Sequence, residues 1–348
     1  MTDAGRAVHV VLPGDIDDPA TPSGGNSYDR RICAGLGERG WSVHEHPVPG
    51  AWPHPDPADR ATLGAVLAAA PDDAVVLIDG LIASTVPDLL APHARRLRLV
   101  VLVHLPLDDE PEARALATAR AVVTTSEWAR RALLARHPTL ADRIRAAPPG
   151  VRPAPPAAGS AAGHRLLCVA AVTHHKGYDV LVDALATLVG RPWMMICAGT
   201  LAREPDLVHV LRDRLTGAGL TERVRLVGPL TGAALDDAYA AADLLVLPSR
   251  GETYGMVVTE ALARGVPVVT TEVGGLPETL GHAPGGDRPG LLVPPGDPAA
   301  LAAALVRWLD DDALRARLRR AALARRDTLT DWPVTTALLA GVLKEVAE

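Results

Sequence analysis

The sequence has few cysteines and no excess of charge of either sign. Cys33, Cys168 and Cys197 are odd in number and widely spaced, and two of them lie in apolar, strand-like runs. This pattern indicates buried free thiols in a reducing compartment, and neither disulfides nor a metal site. The net charge of −6 over 348 residues leaves no basic excess for nucleic acid and no polybasic segment for a membrane surface.

The sequence also lacks a long apolar run. No run approaches the roughly 18 residues that a transmembrane helix needs. Met1 is followed by polar residues and then by a short strand, without the pattern of a signal peptide. We therefore expect a cytoplasmic protein. With 348 residues, of which 48% are hydrophobic, the chain can bury the cores of two domains.

Strand-like and helical segments alternate along the chain, which predicts open parallel sheets covered on both faces, an α/β fold. Residues 148–163 are rich in proline, alanine and glycine without apolar periodicity, and mark a domain boundary. The stretch from Trp52 to Asp59 is predicted to be an irregular surface loop. The predicted strands are Ala7–Leu12, Ser42–Pro47, Ala74–Ile78, Leu99–Val103, Ala121–Thr124, Arg165–Val169, Trp193–Ala198, Val224–Val227, Leu244–Leu247, Val266–Thr270 and Gly290–Val293.

The most informative stretch runs from Pro248 to Glu278 and forms a strand–loop–helix–strand unit. The preceding apolar run stops as a buried parallel strand does, and a helix is predicted from Met256 until Gly265. The amides of Gly255, Met256 and Val257 would then lie at the amino end of that helix. Free amides there, with the helix dipole behind them, bind phosphate without a basic side chain.

Two carboxylates accompany this phosphate site, Glu252 in the loop and Glu260 in the helix. Either one alone is most simply an acid favoured by the helix amino end or a solvated side chain. Together with the amides, they fit a sugar nucleotide, because carboxylates accept hydrogen bonds from sugar and ribose hydroxyls.

Three further positions lie where open α/β sheets bind ligands. Gly24 and Gly25 precede a helix predicted at Ser27–Glu38, in a turn that lets a ligand approach the backbone closely. His104 follows the strand Leu99–Val103, where a ligand contact and a hydrogen bond to a backbone carbonyl are equally plausible from position alone. Lys176 precedes a predicted helix, where it could meet a phosphate, although most lysines are simply solvated.

The segment PSRGETYGMVVTEALARGVPVV resembles family-4 retaining glycosyltransferases of the GT-B fold, in which Glu252 and Glu260 match the E-x7-E motif. The resemblance extends more weakly over nearly the whole chain, with Lys176-Gly177 matching a K-G motif. Ala171 departs from it, because the family often has arginine five residues before this lysine. The resemblance implies two Rossmann-like domains with a cleft between them and a C-terminal helix that crosses back. Residues 1–151 would bind the acceptor, 152–331 the nucleotide sugar, and 332–348 would pack on the first domain.

The resemblance also implies roles for residues. Lys176 would contact the diphosphate, Glu252 the sugar hydroxyls, Glu260 the ribose, and His104 the transferred sugar. The donor site would comprise Gly25, Lys176, Leu230, Glu252, Thr253, Tyr254, Gly255, Met256, Val257 and Glu260, and the acceptor side Gly24, Gly25 and Asn26. The donor would be a UDP- or GDP-sugar and the acceptor a small polar molecule or glycan.

The resemblance implies transfer with retention of configuration. No metal motif of the Asp-x-Asp kind occurs in a suitable loop, so no metal or other cofactor is expected. Two other functions stay open: a nucleotide-sugar 2-epimerase of the same architecture, and a catalytically inactive binding protein. A nicotinamide dehydrogenase is disfavoured, because residues 13–26 lack G-x-G-x-x-G.

Overall fold

A computed structural model describes residues 6–160 and 162–348. The chain forms two compact units. The first comprises the described residues up to Asp18 together with Ser23–Gly150 and Thr330–Glu348, and the second comprises Pro19–Pro22 and Val151–Leu329. Each unit is built on its own six-stranded parallel sheet. Within the described residues, no helix has both the length and the apolar character needed to span a bilayer.

The elements alternate along both units. The strands are β1 (Ala7–Pro13), β2 (Ser42–Val48), β3 (Val75–Asp79), β4 (Arg98–Val103), β5 (Ala121–Thr124), β6 (Ile144–Ala146), β7 (Arg165–Val169), β8 (Met194–Ala198), β9 (Val224–Gly228), β10 (Leu244–Leu247), β11 (Val268–Thr271) and β12 (Gly290–Val293). The helices are α1 (Gly24–Glu38), α2 (Pro57–Ala69), α3 (Gly80–Ala83), α4 (Pro87–Leu90), α5 (Glu110–Thr118), α6 (Glu127–Arg136), α7 (Tyr178–Ala186), α8 (Pro205–Gly217), α9 (Gly232–Ala241), α10 (Met256–Ala263), α11 (Leu276–Leu280), α12 (Pro298–Asp310), α13 (Asp312–Arg326) and α14 (Trp332–Ala347).

The sheet of the first unit has the order β2-β1-β3-β4-β5-β6. Its central strands are continuous apolar runs, as expected for parallel strands buried on both faces. One face packs against α1 and α14, through side chains such as Tyr28, Ile32 and Leu339. The other face packs against helices α2 to α6, including Leu63 and Leu133. The last helix of the chain therefore completes the core of the first unit.

The sheet of the second unit has the order β12-β11-β10-β7-β8-β9. Counted from its own first strand, this is the Rossmann order 3-2-1-4-5-6 read from the opposite edge. Helices α7, α8 and α12 cover one face, and α9, α10 and α11 the other. The order reverses between the neighbouring strands β7 and β10, and ligands bind at the carboxyl ends of strands at such a switch point.

The predicted α/β class is confirmed, with differences at particular elements. Helix α1 begins at Gly24 and not at Ser27, because the Ser23 side chain accepts a hydrogen bond from the Asn26 amide and caps the helix early. The predicted loop from Trp52 to Asp59 is wrong at its end, because Asp56 forms a capping box and Pro57 starts α2. The pattern did not indicate β6, α3, α4, α8 or α9.

Candidate functional site

The carboxyl ends of β7 and β10 lie side by side at the switch point of the second sheet. The loop after β7 leads to Lys176, and the loop after β10 leads to Glu252. Lys176 Nζ donates a hydrogen bond of 2.6 Å to Glu252 Oε1. Ser249 Oγ donates to the same oxygen at 3.0 Å. The structure therefore brings together Lys176 and Glu252, two of the four residues to which the resemblance assigns roles.

The backbone holds Lys176 in this position. His174–Lys176 form a single turn of 3-10 helix that ends at Gly177, whose φ is 70°. A Cβ on Gly177 would lie 2.1 Å from the carbonyl oxygen of Pro248, so only glycine allows the two loops to approach this closely. The Arg250 amide donates to the His175 carbonyl at 2.8 Å, which joins the same loops.

Arg250 adds a second connection between these loops. Its guanidinium pairs with both oxygens of Asp179 in α7, at 2.7 Å each, and donates to the His174 carbonyl. The hydrogen bond from Arg250 is the main reason that the pKa of Asp179 lies below its ordinary value. His174 Nδ1 lies 2.5 Å from Glu204 Oε2, so the imidazole is already engaged by a carboxylate.

The segment from Glu252 to Gly255 rests against the turn before α11. The Gly275 amide donates to the Glu252 carbonyl at 2.9 Å, and Thr279 Oγ1 donates to the Tyr254 carbonyl at 2.6 Å. A Cβ on Gly275 would lie 2.0 Å from the Thr253 carbonyl oxygen. Gly274 and Gly275 therefore pack directly against the backbone of this segment and hold it in place.

Helix α10 starts directly after this segment. Its N-cap residue, Gly255, has no side chain with which to accept the first N–H groups of the helix. Met256 and Val257, which form the start of the first turn, are partly exposed. Thr253 Oγ1 is buried and has no hydrogen-bond partner among the described residues. This end of α10 thus has the backbone donors that an anion needs.

Glu260 lies about one turn after the start of α10. Tyr239 Oη donates a hydrogen bond of 2.8 Å to Glu260 Oε2. Burial raises the pKa of Glu260 above its ordinary value, although the hydrogen bond from Tyr239 and the charge of Arg264 act in the opposite direction. Leu230 follows β9, an edge strand of the same sheet that β8 separates from β7.

In the first unit, Gly24, Gly25 and Asn26 form the first turn of α1, and His104 follows β4. A Cβ on Gly25 would lie 3.4 Å from Cδ2 of the His104 ring, so the imidazole packs against this turn. The edge of the Tyr28 ring faces the same imidazole, with centroids 5.3 Å apart. The glycine turn and His104 are therefore neighbours.

Two buried acids lie beside His104 that the sequence patterns did not predict as site residues. His104 Nε2 lies 2.8 Å from Asp29 Oδ1 and 3.7 Å from Asp79 Oδ2. Among the described residues, these three form the one group of His, Cys, Asp or Glu side chains whose ligand atoms all lie within 4.8 Å of one another. The 2.8 Å contact has the length of a charge-assisted hydrogen bond. Asp79 ends an apolar strand and Asp29 lies on the apolar stripe of α1, which are the signals that could have pointed to them.

The pKa values of His104 and Asp79 both lie well above their ordinary values. Burial alone would lower the pKa of His104, but the charge of Asp29, its hydrogen bond and the charge of Asp79 raise that pKa to about 9. Burial, followed by the charge of Asp29, raises the pKa of Asp79 to about 7. These pKa shifts favour the imidazolium form of His104 at neutral pH, with the negative charge of the neighbouring acids compensating it.

Two units, each built on a six-stranded parallel sheet, define the class of fold. A solved structure of the Anabaena protein HepE in complex with UDP-glucose superposes with a TM-score of 0.76 and 19% identity, covering 97% of this chain and 99% of that one. The architecture is that of the GT-B fold.

The sequence comparison goes further than the fold. Residues 163–311 match the family described as glycosyl transferases group 1. The D-inositol 3-phosphate glycosyltransferase of Jonesia denitrificans is 37% identical over 171 residues, which are 47% of this chain and 39% of that protein. The lipopolysaccharide core biosynthesis mannosyltransferase LpsB of Rhizobium meliloti is 38% identical over 148 residues, 41% of each protein.

The chain thus spans between 39% and 41% of the length of these two relatives. Within the second unit, the matched residues 163–311 include Lys176, Glu252 and Glu260. Residues 163–311 are thus similar to the group 1 glycosyltransferases, as the resemblance predicted for this part of the chain.

Proposed function

We propose that this chain transfers a sugar from a nucleotide-diphosphate sugar, such as a UDP- or GDP-sugar, to a hydroxyl of a small polar acceptor. The observation that supports this most directly is the contact of 2.6 Å between Lys176 and Glu252. An ammonium and a carboxylate, a group that can accept hydrogen bonds from sugar hydroxyls, are thus in contact at the switch point of the second sheet. Residues 163–311, which include both side chains, match the family described as glycosyl transferases group 1.

Lys176 and the start of α10 would hold the diphosphate. Breaking the bond at the anomeric carbon leaves a sugar with oxocarbenium character and a diphosphate with extra negative charge. The Lys176 ammonium, 26% exposed as a side chain, and the amides of Gly255, Met256 and Val257 would stabilise that charge. Thr253 and Tyr254 lead into this helix end and would border the same phosphates.

Glu252 would orient the sugar. Its Oε1 receives the hydrogen bonds from Lys176 and Ser249, while Oε2 receives none from the described residues. That free oxygen can accept a hydrogen bond from a sugar hydroxyl without any other contact being broken. Glu260, held by Tyr239, would accept from the ribose, and Leu230 would border the base through its backbone.

The first unit would serve the acceptor. We propose that Gly24, Gly25 and Asn26 border the acceptor, with Gly25 also near the donor phosphate, and that His104 contacts the transferred sugar. Helix α14, which completes this unit, would contribute to its stability.

Two finer properties belong to the same proposal. Retention of configuration follows from the E-x7-E motif of Glu252 and Glu260. We infer independence of metal from the lack of an Asp-x-Asp motif in a suitable loop, with Lys176 and the helix amides binding the diphosphate in place of a cation. The rate should therefore be unchanged by a chelator, and an α-linked donor should give an α-linked product, as read by proton NMR.

The chain offers an internal control for a binding test, because it contains two lysines, Lys176 and Lys344. Lys344 lies in α14, paired with Glu348 at 3.8 Å. Purified protein is treated with an amine-acylating reagent, with and without UDP-glucose or GDP-mannose, and both lysines are followed by peptide mass spectrometry. At about ten times the Kd of the donor, modification of Lys176 should slow about tenfold, since only empty protein reacts.

Modification of Lys344 should proceed at the same rate in both samples. Equal rates at Lys176 with every nucleotide sugar tested would contradict the donor site. A donor that protects Lys176 is then incubated with and without acceptor candidates. Conversion of the donor to its 2-epimer without an acceptor would replace transfer by epimerisation, and protection without any turnover would indicate an inactive binding protein.

A further inference from the structure

The first unit contains a group of buried side chains that the proposed donor chemistry does not use. Asp29 and Asp79 are 2% and 4% exposed, and both approach Nε2 of His104. Asp29 projects from α1, whose other buried residues include Tyr28 and Ile32. Asp79 is the last residue of β3, and its Oδ1 also accepts from the Leu81 amide at 2.6 Å. Buried carboxylates in apolar surroundings are costly unless a partner compensates them.

The geometry determines which nitrogen of His104 carries a hydrogen. A carboxylate oxygen 2.8 Å from Nε2 is an acceptor, so Nε2 must donate. Nδ1 makes no hydrogen bond with the described residues, and the side chain keeps 18% of its surface exposed. The ring is therefore held from one side by its Nε2–H, while Nδ1 is left for a ligand.

The charged side chains that approach the His104 ring are both acids, and both lie at its Nε2. From α1 the titratable groups in contact with it are Asp29 and Tyr28, and from β3 Asp79. On the β5 side, Thr125 Oγ1 lies 3.5 Å from the His104 carbonyl and carries no charge. Asp29 Oδ2, although buried, has no hydrogen-bond partner among the described residues. Among the described residues, the ion pairs of Asp29 and Asp79 are both with His104.

We propose that Asp29 and Asp79 are positioning residues that keep His104 as an imidazolium with its Nε2–H turned to Asp29, so that Nδ1–H is presented to the ligand as a charged donor. His104 then acts as a hydrogen-bond donor and not as a general base. Its partner would be an electron-rich oxygen, a sugar hydroxyl or a phosphate oxygen of the bound substrate. This assignment rests on the proposed function only for the identity of that ligand.

The test measures the protonation of His104 directly. Protein labelled with nitrogen-15 in its 12 histidines is examined by long-range proton–nitrogen correlation NMR between pH 6 and pH 10, with His104→Gln identifying the signal. The expected wild-type result at pH 7.5 is an imidazolium, with both ring nitrogens protonated. In Asp29→Asn the midpoint of the His104 titration should fall by about 1–3 units, because an opposite charge in contact has been removed.

Two variants separate positioning from general damage to the fold. Asp29→Glu keeps the charge and should retain the imidazolium at pH 7.5. Asp88→Asn removes an exposed acid that pairs with Arg60 and should leave the His104 titration unchanged. A neutral His104 in the wild-type protein at pH 7.5, or an unchanged midpoint in Asp29→Asn, would overturn the proposal. So would ring nitrogen signals that move on addition of a chelator, which would indicate a bound metal instead.

A kinetic readout follows once a donor and acceptor are known. Transfer by the wild-type protein should decline as the pH rises through about 9, where His104 loses its proton. In Asp29→Asn the same decline should begin about 1–3 pH units lower. Absence of transfer with every substrate would count against the proposed function, but it would leave the NMR result to decide the role of Asp29.

Discussion

Lys176 Nζ and Glu252 Oε1 lie 2.6 Å apart although 76 residues separate them in the sequence. The contact forms because β7 and β10 are neighbours in the sheet and the loops after both strands emerge at the same edge. Without a ligand, each side chain neutralises the other. In the proposed function a diphosphate would therefore compete with Glu252 for the ammonium, and Glu252 would have two roles: it would position Lys176 and offer Oε2 to the sugar.

We expect Glu252→Gln to separate these two roles. Removing the carboxylate charge frees Lys176, so a nucleoside diphosphate should bind at least as tightly as to the wild-type protein. Transfer should slow by roughly 10²-fold, because the group that orients the sugar in the transition state is weakened. Isothermal titration with UDP or GDP gives the first quantity and nucleotide release the second.

Glu222→Gln is the matched control, since Glu222 is an exposed acid of the same unit. It should change neither quantity. Nucleotide binding that weakens in Glu252→Gln together with transfer would mean that Glu252 serves mainly to hold the loop.

Tyr239→Phe should affect the ribose end of the donor. The variant removes the hydrogen bond of 2.8 Å to Glu260 Oε2, which raises the pKa of Glu260 further, because this bond partly opposes the effect of burial. The donor KM should rise about tenfold at neutral pH, given that a hydrogen bond to a charged group contributes about 1.5–3 kcal/mol. The increase should become larger as the pH falls, because less of Glu260 is ionised. Initial rates measured across a range of pH give the ratio of the donor KM of Tyr239→Phe to that of the wild-type protein.

A donor with 2′-deoxyribose provides the control for this prediction. If Glu260 binds the ribose, Tyr239→Phe and removal of the hydroxyl should be non-additive, as in a double-mutant cycle. Additive losses would place Glu260 elsewhere.

The regular part of the fold is predictable because simple patterns determine it. The bounds of β5, β7, β10 and β12 agree with the apolar runs in the sequence, and β5 and β10 are buried along their whole length, as expected of interior parallel strands. The start of α1 is not predictable in this way, because Gly24 and Gly25 disfavour a helix. Its first turn is held by hydrogen bonds from the Asn26 amide to Ser23 Oγ and from the Ser27 amide to the Ser23 carbonyl. Strand β6 has only three residues and is stabilised by its pairing with β5.

The candidate site shows the same division. Local motifs identified Lys176, Glu252 and Glu260, because spacing and neighbouring glycines are visible in the sequence. Asp29 and Asp79 are partners of His104 only through the folding together of α1, β3 and β4, and 50 residues separate them. Contacts of this kind depend on strand order, which the sequence pattern leaves open.

Gly275→Ala should destabilise the second unit. The added Cβ would lie 2.0 Å from the Thr253 carbonyl oxygen, so the segment from Glu252 to Gly255 must move. A loss of about 1–3 kcal/mol is expected for such overpacking. For a unit of this size the melting temperature should fall by about 2–4 °C per kcal/mol. Differential scanning calorimetry measures the shift.

Gly217→Ala is the control for that substitution. Gly217 ends α8 and nothing lies within 4 Å of its added Cβ, so the melting temperature should stay the same or rise slightly. If both glycine variants melted alike, the close approach at Gly275 would not limit stability.

The His104 cluster predicts that the first unit loses stability as the pH rises from neutral. The pKa of His104, about 9, lies above the ordinary value of 6.5, so the native state keeps a proton that the unfolded chain releases at lower pH. The resulting stabilisation is complete below about pH 6.5 and is lost as the pH rises through about 9. Asp79, with its pKa raised to about 7, acts in the same direction between about pH 4 and 7, because the native state again binds more protons. The shift at His104 alone corresponds to ~3 kcal/mol, and the cluster titrates as a unit.

The double variant Asp79→Asn with His104→Gln removes both titrating groups, and its stability should vary less between pH 6.5 and pH 9 than that of the wild-type protein. Urea unfolding at each pH, followed by a probe in the first unit such as Trp41, measures this difference. His54→Gln removes an exposed imidazole of the same unit and should leave the pH profile as it is in the wild-type protein. A profile equally steep in the double variant would mean that the imidazolium and its acids contribute no net stability. Their arrangement would then serve the ligand alone, at no cost or benefit to folding.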